Sequence, residues 1–511
     1  MASFLKPFAT VGSNTMISRI LGFVRDLVLA RMFGADATTD AFFVAFKIPN
    51  FLRRLFAEGA FSLAFVPVLT EYRSQRSEQE LKAFVDMMAG TLGVVLLLTT
   101  LLGVVAAPLL VMIFAPGFLS DGDGKYELAV EMLHLTFPYL FFISLTAFAG
   151  GVLNAHHRFG APAFTPVLLN LSLIGCALWL SPMMDQPIVA LAWAVLLAGG
   201  VQFMFQLPFL YQIRMIPRPR VAFHDRGVIR VMKLMVPALF GVSVSQLNLL
   251  LDTLIASFLV SGSISWLYYS DRLMEFPVGI LGVALGTVIL PNLSRKHAEK
   301  SPQEFSDTLD WALRVTVLLG VPAAVGLFVL AGPTLATLFH SEAFTAQDVL
   351  MSSYSLMAYA PGLMAIMLIK ILAPGFYARQ DTRTPVRIGI LAMAANMLFN
   401  LLLVFPLDHA GLALATTISS SLNAWLLYRG LREQSIYTPR PGWPGIWLRA
   451  SMAAFAMGAL LLWGVGSLDL WLGQGTWTRI VHLTFFIASG GVLYFVVLYI
   501  SGIRLHHFRS L

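Results

Sequence analysis

The chain has 511 residues, of which 58% are hydrophobic and only 12% charged. Soluble domains carry about 25% charged residues, so this composition excludes a soluble globule and places the chain in a bilayer. The 34 Lys and Arg exceed the 27 Asp and Glu by +7, an excess that a membrane protein keeps in its cytoplasmic loops and that does not imply nucleic-acid binding. The single cysteine, Cys176, excludes an intramolecular disulfide.

The opening residues, MASFLKPFATVGSNTM, lack the basic, apolar and small-residue regions of a cleavable signal, so insertion is expected to begin with the first helix. Stretches of about 20 apolar residues, enough to cross a bilayer, fall at 9–32, 40–71, 85–114, 128–154, 162–181, 188–213, 231–260, 264–294, 309–339, 347–376, 384–405, 410–429, 443–467 and 478–503. They predict an all-α integral membrane protein of fourteen transmembrane helices.

The first stretch holds Arg19, Arg25 and Asp26. Arg19 and Asp26 are seven apart and share a face, which serves an ion pair or a ligand role equally well. Arg25 points elsewhere, with no evident partner on its own helix. The second stretch is the most unusual: DAFFVAFKIPNFLRRLFAEGAFSLAFVPVLTEY carries Asp40, Lys47, Arg53, Arg54 and Glu58. A basic residue near the bilayer centre costs about 2.5–3.5 kcal/mol on insertion scales, so such residues face a partner or a wet cavity. On an α-helical wheel Asp40, Lys47, Asn50, Arg54 and Glu58 share one side, and Pro49 predicts a kink in their midst.

The eighth stretch, SISWLYYSDRLMEFPVGI, mirrors the second, with Ser265, Tyr268, Arg272, Glu275 and Gly279 on one polar stripe. Arg272 and Glu275 could simply neutralise each other. Taken together, Arg19, Arg25, Lys47, Arg53, Arg54 and Arg272 make a cavity suited to an anion, and the planar Arg fork suits phosphate or carboxylate. A second polar set comprises Asp252, with no cation near it in sequence, Asn396 and Asn400 four apart on one face, and Thr416. Such oxygens suit a hard cation, and equally a hydrogen-bonded packing cluster between helices. No metal-ligand His spacing, P-loop or nucleophile elbow is present.

Even-numbered loops carry the basic residues, among them Arg73, Arg158, Arg218, Arg295, Arg383 and Arg440, whereas odd-numbered loops are almost free of them. The positive-inside rule then predicts cytoplasmic termini. An internal repeat aligns Ala57–Leu69 with Leu281–Leu293, setting Pro67 opposite Pro291, and Asn154–Pro162 with Tyr377–Pro385. Two six-helix lobes in the same orientation, related by a pseudo-two-fold along the membrane normal, are therefore expected, with a substrate site between them. The boundaries follow as 1–217 and 218–440, leaving two further helices in 441–511.

The motifs Ser18–Asp26, Thr39–Pro67, Tyr268–Pro291, His157–Asn170 and Leu372–Val386 closely resemble the MurJ/MviN family of the multidrug/oligosaccharidyl-lipid/polysaccharide exporter superfamily. The resemblance covers essentially the full length. It implies alternating access by a non-enzymatic flippase of the bacterial cytoplasmic membrane. The substrate would be lipid II, the undecaprenyl-pyrophosphate-linked disaccharide peptide. Membrane lipids and the cell-wall synthesis machinery are the other implied partners. Carried over by position, the required cavity cations are Arg19, Arg25, Arg53 and Arg272. Further cavity residues are Ser18, Asp26, Asp40, Lys47, Asn50, Glu58, Ser265 and Glu275.

The family's sodium site falls on Asp252, Asn396, Asn400, the Leu412 carbonyl and Thr416, so Na+ or H+ is the implied coupling ion. This chain has Asn400 where some members have Asp, and the set carries one charge fewer. The last two helices correspond to a groove for the lipid tail. Other readings are an exporter of a different lipid-linked oligosaccharide and a cation-coupled drug antiporter, whose cavity would favour acids over arginines.

Overall fold

The structure is a computed structural model describing the backbone of residues 2–120, 124–279 and 283–503, and their side chains except 2–10, 56–58, 240–245, 247, 249 and 283–288. Among the described residues all regular structure is helical. In chain order the α-helices are α1 (Ala2–Phe33), α2 (Ala37–Leu52), α3 (Ser62–Gln75), α4 (Glu78–Val105), α5 (Ala107–Phe114), α6 (Lys125–Thr136), α7 (Tyr139–Ala155), α8 (Gly160–Gly175), α9 (Val189–Gln212) and α10 (Arg226–Ala256). They continue as α11 (Ser263–Pro277), α12 (Val283–Ala298), α13 (Pro302–Val329), α14 (Ala331–Leu338), α15 (Ala346–Tyr377), α16 (Arg383–Glu433), α17 (Trp443–Val465), α18 (Leu468–Leu472) and α19 (Thr476–Ile500).

Among the described residues each predicted apolar stretch lies largely on helix. Nine helical stretches among the described residues are long and apolar enough to cross a membrane, the longest of them α16. The others, α1, α2–α3, α10 and α11–α12, hold the ionisable residues singled out above. Helix α16 takes in two predicted spans, which meet at Asp408, the one non-helical residue inside it. A Cβ at Gly411 would lie 2.2 Å from the Leu403 carbonyl oxygen, so only glycine permits that approach. Large apolar side chains such as Leu102, Phe405, Phe455 and Trp463 are exposed on the outer surface. That is the surface an integral membrane protein presents to lipid.

Helix starts are capped where the chain emerges into polar loops. Asp36 accepts from the Thr38 and Thr39 amides, and Asp225 from those of Gly227 and Val228. Ser77 with Glu80 and Thr345 with Asp348 form capping boxes. Each cap stabilises its helix by about 1 kcal/mol.

The chain divides into two compact units, Met1–Gly262 and Ser263–Leu511. Helix α10 opens the second sequence repeat, yet it packs against α3, α4 and α5 within the first unit. The repeat itself recurs in backbone detail. Helix α7 ends in a left-handed residue, His157 (φ 59°), and α15 in Gln380 (φ 63°). The next amide closes back in both, from Arg158 to the Leu153 carbonyl (2.9 Å) and from Asp381 to that of Phe376 (3.1 Å). This C-terminal closure satisfies carbonyls the helix leaves open.

In the first unit the basic loops gather at one end: Arg230 pairs with Glu71 at 2.8 Å, and Asp86 accepts from the Arg218 amide at 2.7 Å. The core below them stacks Phe61, Phe65, Phe84 and Phe148. In the second unit Arg440 pairs with Asp307 at 2.6 Å, and Ser306 is bonded to Thr438. Its core centres on Leu309, Leu313, Phe376 and Leu431.

Candidate functional site

In the first unit the site is built on α1, α2 and the segment that follows α2. Pro49 cannot donate to the helical ladder. Beyond it the chain widens into a π-helical segment, Arg53–Phe61, before resuming as α3. The expected kink is thus a change of helical pitch. An α-helical wheel does not carry across it, so the face predicted for Arg54 and Glu58 has no basis beyond residue 52. π-Helical turns are rare and gather at functional sites.

Arg25 does have a partner on its own helix. Its Nε and a terminal nitrogen donate to Asp26 Oδ1 at 2.9 and 2.6 Å, and its other terminal nitrogen donates to Asn170 Oδ1 at 3.0 Å. Of the two readings open for Asp26, an ion pair with Arg19 or a ligand role, the pairing seen is with Arg25 instead. Adjacent side chains on a helix diverge, but a guanidinium long enough to fold back reaches its neighbour. Asn170 Nδ2 in turn donates to the Ser18 carbonyl at 3.0 Å, locking the amide so that its oxygen faces Arg25. Asp26 and Asn170 are buried, whereas Arg19 is exposed. Removing one member of a buried ion pair costs about 3–5 kcal/mol, because the other charge is left uncompensated.

On α2, Asp40 is buried in the first turn and accepts from the Gly262 amide at 2.7 Å. Lys47 Nζ donates to Thr253 Oγ1 on α10 at 2.9 Å. Arg53 Nε donates to Asn50 Oδ1 at 2.9 Å. Lys47, Asn50, Arg53 and Arg54 are all half-buried. The side chain of Glu58 lies outside the described residues. Asp252, beside Thr253, is half-buried and engaged rather than free.

In the second unit Arg272 and Glu275 form an ion pair at 2.7 Å, and the guanidinium lies over the Tyr268 ring at 4.9 Å from its centroid. Ser265 is buried about two turns earlier on α11. Four members of the other polar set, Asn396, Asn400, Leu412 and Thr416, form a hydrogen-bonded network. Asn400 Nδ2 donates to Asn396 Oδ1 at 3.0 Å, Asn396 Nδ2 lies 3.4 Å from Thr416 Oγ1 and 3.3 Å from Ser419 Oγ, and Thr416 Oγ1 donates to the Leu412 carbonyl at 3.1 Å. Both asparagines are fully buried. The oxygens suit a hard cation, while the amide nitrogens tie the network to itself. Among the described residues no cluster of three His, Cys, Asp or Glu could hold a metal.

A cleft of about 470 Å³ in the second unit is walled by Leu313 and Val317 of α13, Trp425 and Tyr428 of α16, and Trp443 and Trp447 of α17. Trp425 and Trp447 are exposed at its rim. Asn170, Thr253 and the tryptophans of this cleft were not singled out from sequence. Asn170 offered a signal, as a lone amide within the apolar run PVLLNLSLIG.

Three comparisons bear on this arrangement. The family model described as lipid II flippase MurJ matches residues 29–482. A Haemophilus influenzae protein named as a probable lipid II flippase MurJ is 49% identical over 505 residues, covering 96% of this chain and 99% of its own. The lipid II flippase MurJ of Burkholderia cenocepacia is 45% identical, with 99% of each chain covered. A solved structure of lipid II flippase MurJ in an inward closed conformation superposes with a TM-score of 0.81 at 26% identity, over 96% of this chain and 98% of that one. An inward-facing multidrug MATE transporter shares the fold at a TM-score of 0.68 and 13% identity, over 84% of this chain and 98% of its own. With a family model matching most of its length and relatives nearly half identical from end to end, this integral membrane protein belongs to the MurJ lipid II flippase family.

Proposed function

We propose that the protein is a transporter, not an enzyme, that moves lipid II from the cytoplasmic to the outer leaflet of the bacterial cytoplasmic membrane, with both its termini in the cytoplasm. The substrate joins a pyrophosphate and a peptide carboxylate to a tail too apolar to leave the bilayer. In the first unit Arg19, Arg25, Lys47 and Arg53 meet the anionic head group, helped by Ser18 and Asn50, while Asp26 and Asp40 hold the surrounding helices. Arg272 is the corresponding cation of the second unit, with Ser265 and Glu275 on the same helix. Access alternates between the two faces of the membrane. The apolar tail runs in the cleft walled by α13, α16 and α17.

The observation that carries the reading is the concentration of Arg and Lys on α1 and the α2–π–α3 stretch of a chain belonging to this family. Burying cations in a membrane protein is costly and is retained where they bind. A drug/cation antiporter would place acids there instead. Coupling to sodium or a proton belongs to the same reading. Asn396, Asn400, Thr416 and the Leu412 carbonyl supply neutral oxygens in the second unit, and Asp252, on α10 of the first unit, is a separate carboxylate able to titrate. Such an ion acts only through different affinities for the two conformations.

Complementation of a flippase-depleted strain tests the proposal. Arg53→Ala is expected to fail while accumulating normally in the membrane. Full growth with Ala at each of Arg19, Arg25, Arg53 and Arg272 in turn would overturn it.

A further inference from the structure

We propose that Asp310 is a positioning residue for the lipid tail, acting through Trp443 on one wall of the tail cleft. The proposal rests on the reading of that cleft given above.

Asp310 is buried on α13, and its carboxylate gathers four donors from two segments. Oδ1 accepts from the Tyr437 hydroxyl (2.6 Å), the Trp443 indole N–H (2.8 Å) and the Arg440 amide (3.2 Å), while Oδ2 accepts from Arg314 Nε (2.6 Å). Arg314 also donates to the carbonyls of Arg440 and Pro441, both at 3.0 Å, and its guanidinium lies 5.4 Å from the centre of the Trp443 ring. The indole of Trp443 is therefore held at its edge by Asp310 and on its face by an arginine that Asp310 also holds. That indole walls the cleft together with Leu313 and Val317, which follow Asp310 on the same helix. Burial and the bond to Asp310 push the Tyr437 phenol up, so it stays a neutral donor. The turn into α17 needs Gly442, whose φ of 99° suits no other residue.

Only a carboxylate satisfies this arrangement. An asparagine would aim an N–H at either the indole or the guanidinium, leaving donor facing donor. Asp310 is also not what attaches the last helices to the unit. Arg479 on α19 donates to the carbonyls of Ala336 (2.9 Å), Trp471 (2.8 Å) and Leu472 (2.8 Å), and the Tyr494 hydroxyl donates to the Leu318 carbonyl at 2.7 Å. Loss of Asp310 thus frees the Trp443 wall while these anchors persist.

The test compares transport by the purified full-length protein in proteoliposomes of fluorescent lipid II bearing an undecaprenyl tail and of the same head group on a farnesyl tail. Asp310→Asn is expected to raise KM for the undecaprenyl substrate about tenfold with little change in kcat, and to leave the farnesyl substrate within about twofold. Equal losses on both tails, or a fall in kcat at unchanged KM, would overturn the proposal. Trp447→Ala, in the cleft but away from Asp310, separates the two levels. If it raises KM for the long tail while Asp310→Asn is silent, only the role of Asp310 falls; if both are silent, the tail cleft itself falls. Should Asp310→Asn not fold, Tyr437→Phe and Trp443→Phe each remove one donor to the carboxylate and are read in the same way.

Discussion

At the turn where the first unit places Arg53 and Arg54 on a π-helical segment, the second unit, 224 residues on, has Pro277 and Val278. Its backbone is π-helical there too, at residues 278–279. Lys47 of the first unit corresponds to Asp271 of the second. The second unit keeps its cation earlier, on Arg272, in an ion pair with Glu275. Backbone irregularity was therefore kept through duplication while charge was not. The π-helical turn recurs in both units, whereas the Arg and Lys residues of the candidate site are concentrated in the first. The first unit has become the cationic half, and the second has invested in the amide–hydroxyl network around Asn396 and Asn400 and in the aromatic cleft.

The largest expected effect breaks this comparison at its charged end. Ala at Arg25, Arg53 or Arg272 should cost about 100-fold in lipid II transport, since a hydrogen bond to a charged partner is worth about 1.5–3 kcal/mol and a guanidinium fork can give an anion two. Exchanging the Arg272–Glu275 pair by Arg272→Glu with Glu275→Arg restores an ion pair without restoring the cation's place. Transport should stay lost, and recovery would reduce Arg272 to a packing role.

A smaller effect is expected one step from the cation. Asn170→Ala releases the Arg25 guanidinium from α8 and should weaken binding of a pyrophosphate-bearing lipid by about tenfold. Asn170→Asp should be worse than Asn170→Ala, because a second acid beside Asp26 neutralises Arg25. The reverse order, measured by titration of the purified protein, would show that Asn170 does not act through Arg25.

The second unit's network offers a sharper contrast. Asn400→Asp adds the charge the set lacks and should enlarge the melting-temperature rise produced by sodium over that produced by choline. Asp252→Asn, on α10 of the first unit, should abolish the sodium- or pH-dependent shift of the unaltered protein. Equal shifts in all three proteins would remove the ion from the account.

The smallest expected effect is a pH dependence at the other end of the second unit. Burial, and then the Arg479 charge, hold His340 below its ordinary value near 6.5. Its Nδ1 sits 3.0 Å from the Arg479 guanidinium and so must be the acceptor. A base with a depressed folded-state pKa contributes stability that is present above about pH 6.5 and lost as pH falls below it. His340→Gln should flatten a modest drop in melting temperature between neutral pH and about pH 5.

Much of the fold was legible in the sequence. The apolar stretches located the helices, and the repeat aligned the segments whose helices share left-handed ends at His157 and Gln380. Hydropathy and loop charge are properties of one segment at a time, which is why they read so directly. The site was legible in its residue types and not in its pairings. Arg25 meets Asn170 across 145 positions of sequence, and no local pattern selects that amide. The π-helical segment after Pro49 escaped a wheel drawn at fixed pitch, and with it went the predicted face of Arg54. The hub at Asp310 was overlooked although Asp310 and Arg314, four apart in an apolar stretch, carried the same signature that drew notice in α1 and α2.

The central claim is that cations of the first unit bind the pyrophosphate head group for passage across the bilayer. Its most direct measurement is the transfer of fluorescent lipid II between leaflets of proteoliposomes holding the purified protein, compared with Arg53→Ala and with an undecaprenyl lipid lacking phosphate. The account predicts protein-dependent transfer of lipid II that Arg53→Ala abolishes, and none of the neutral lipid. Equal transfer of both lipids, or transfer of lipid II undiminished by Arg53→Ala, would contradict it.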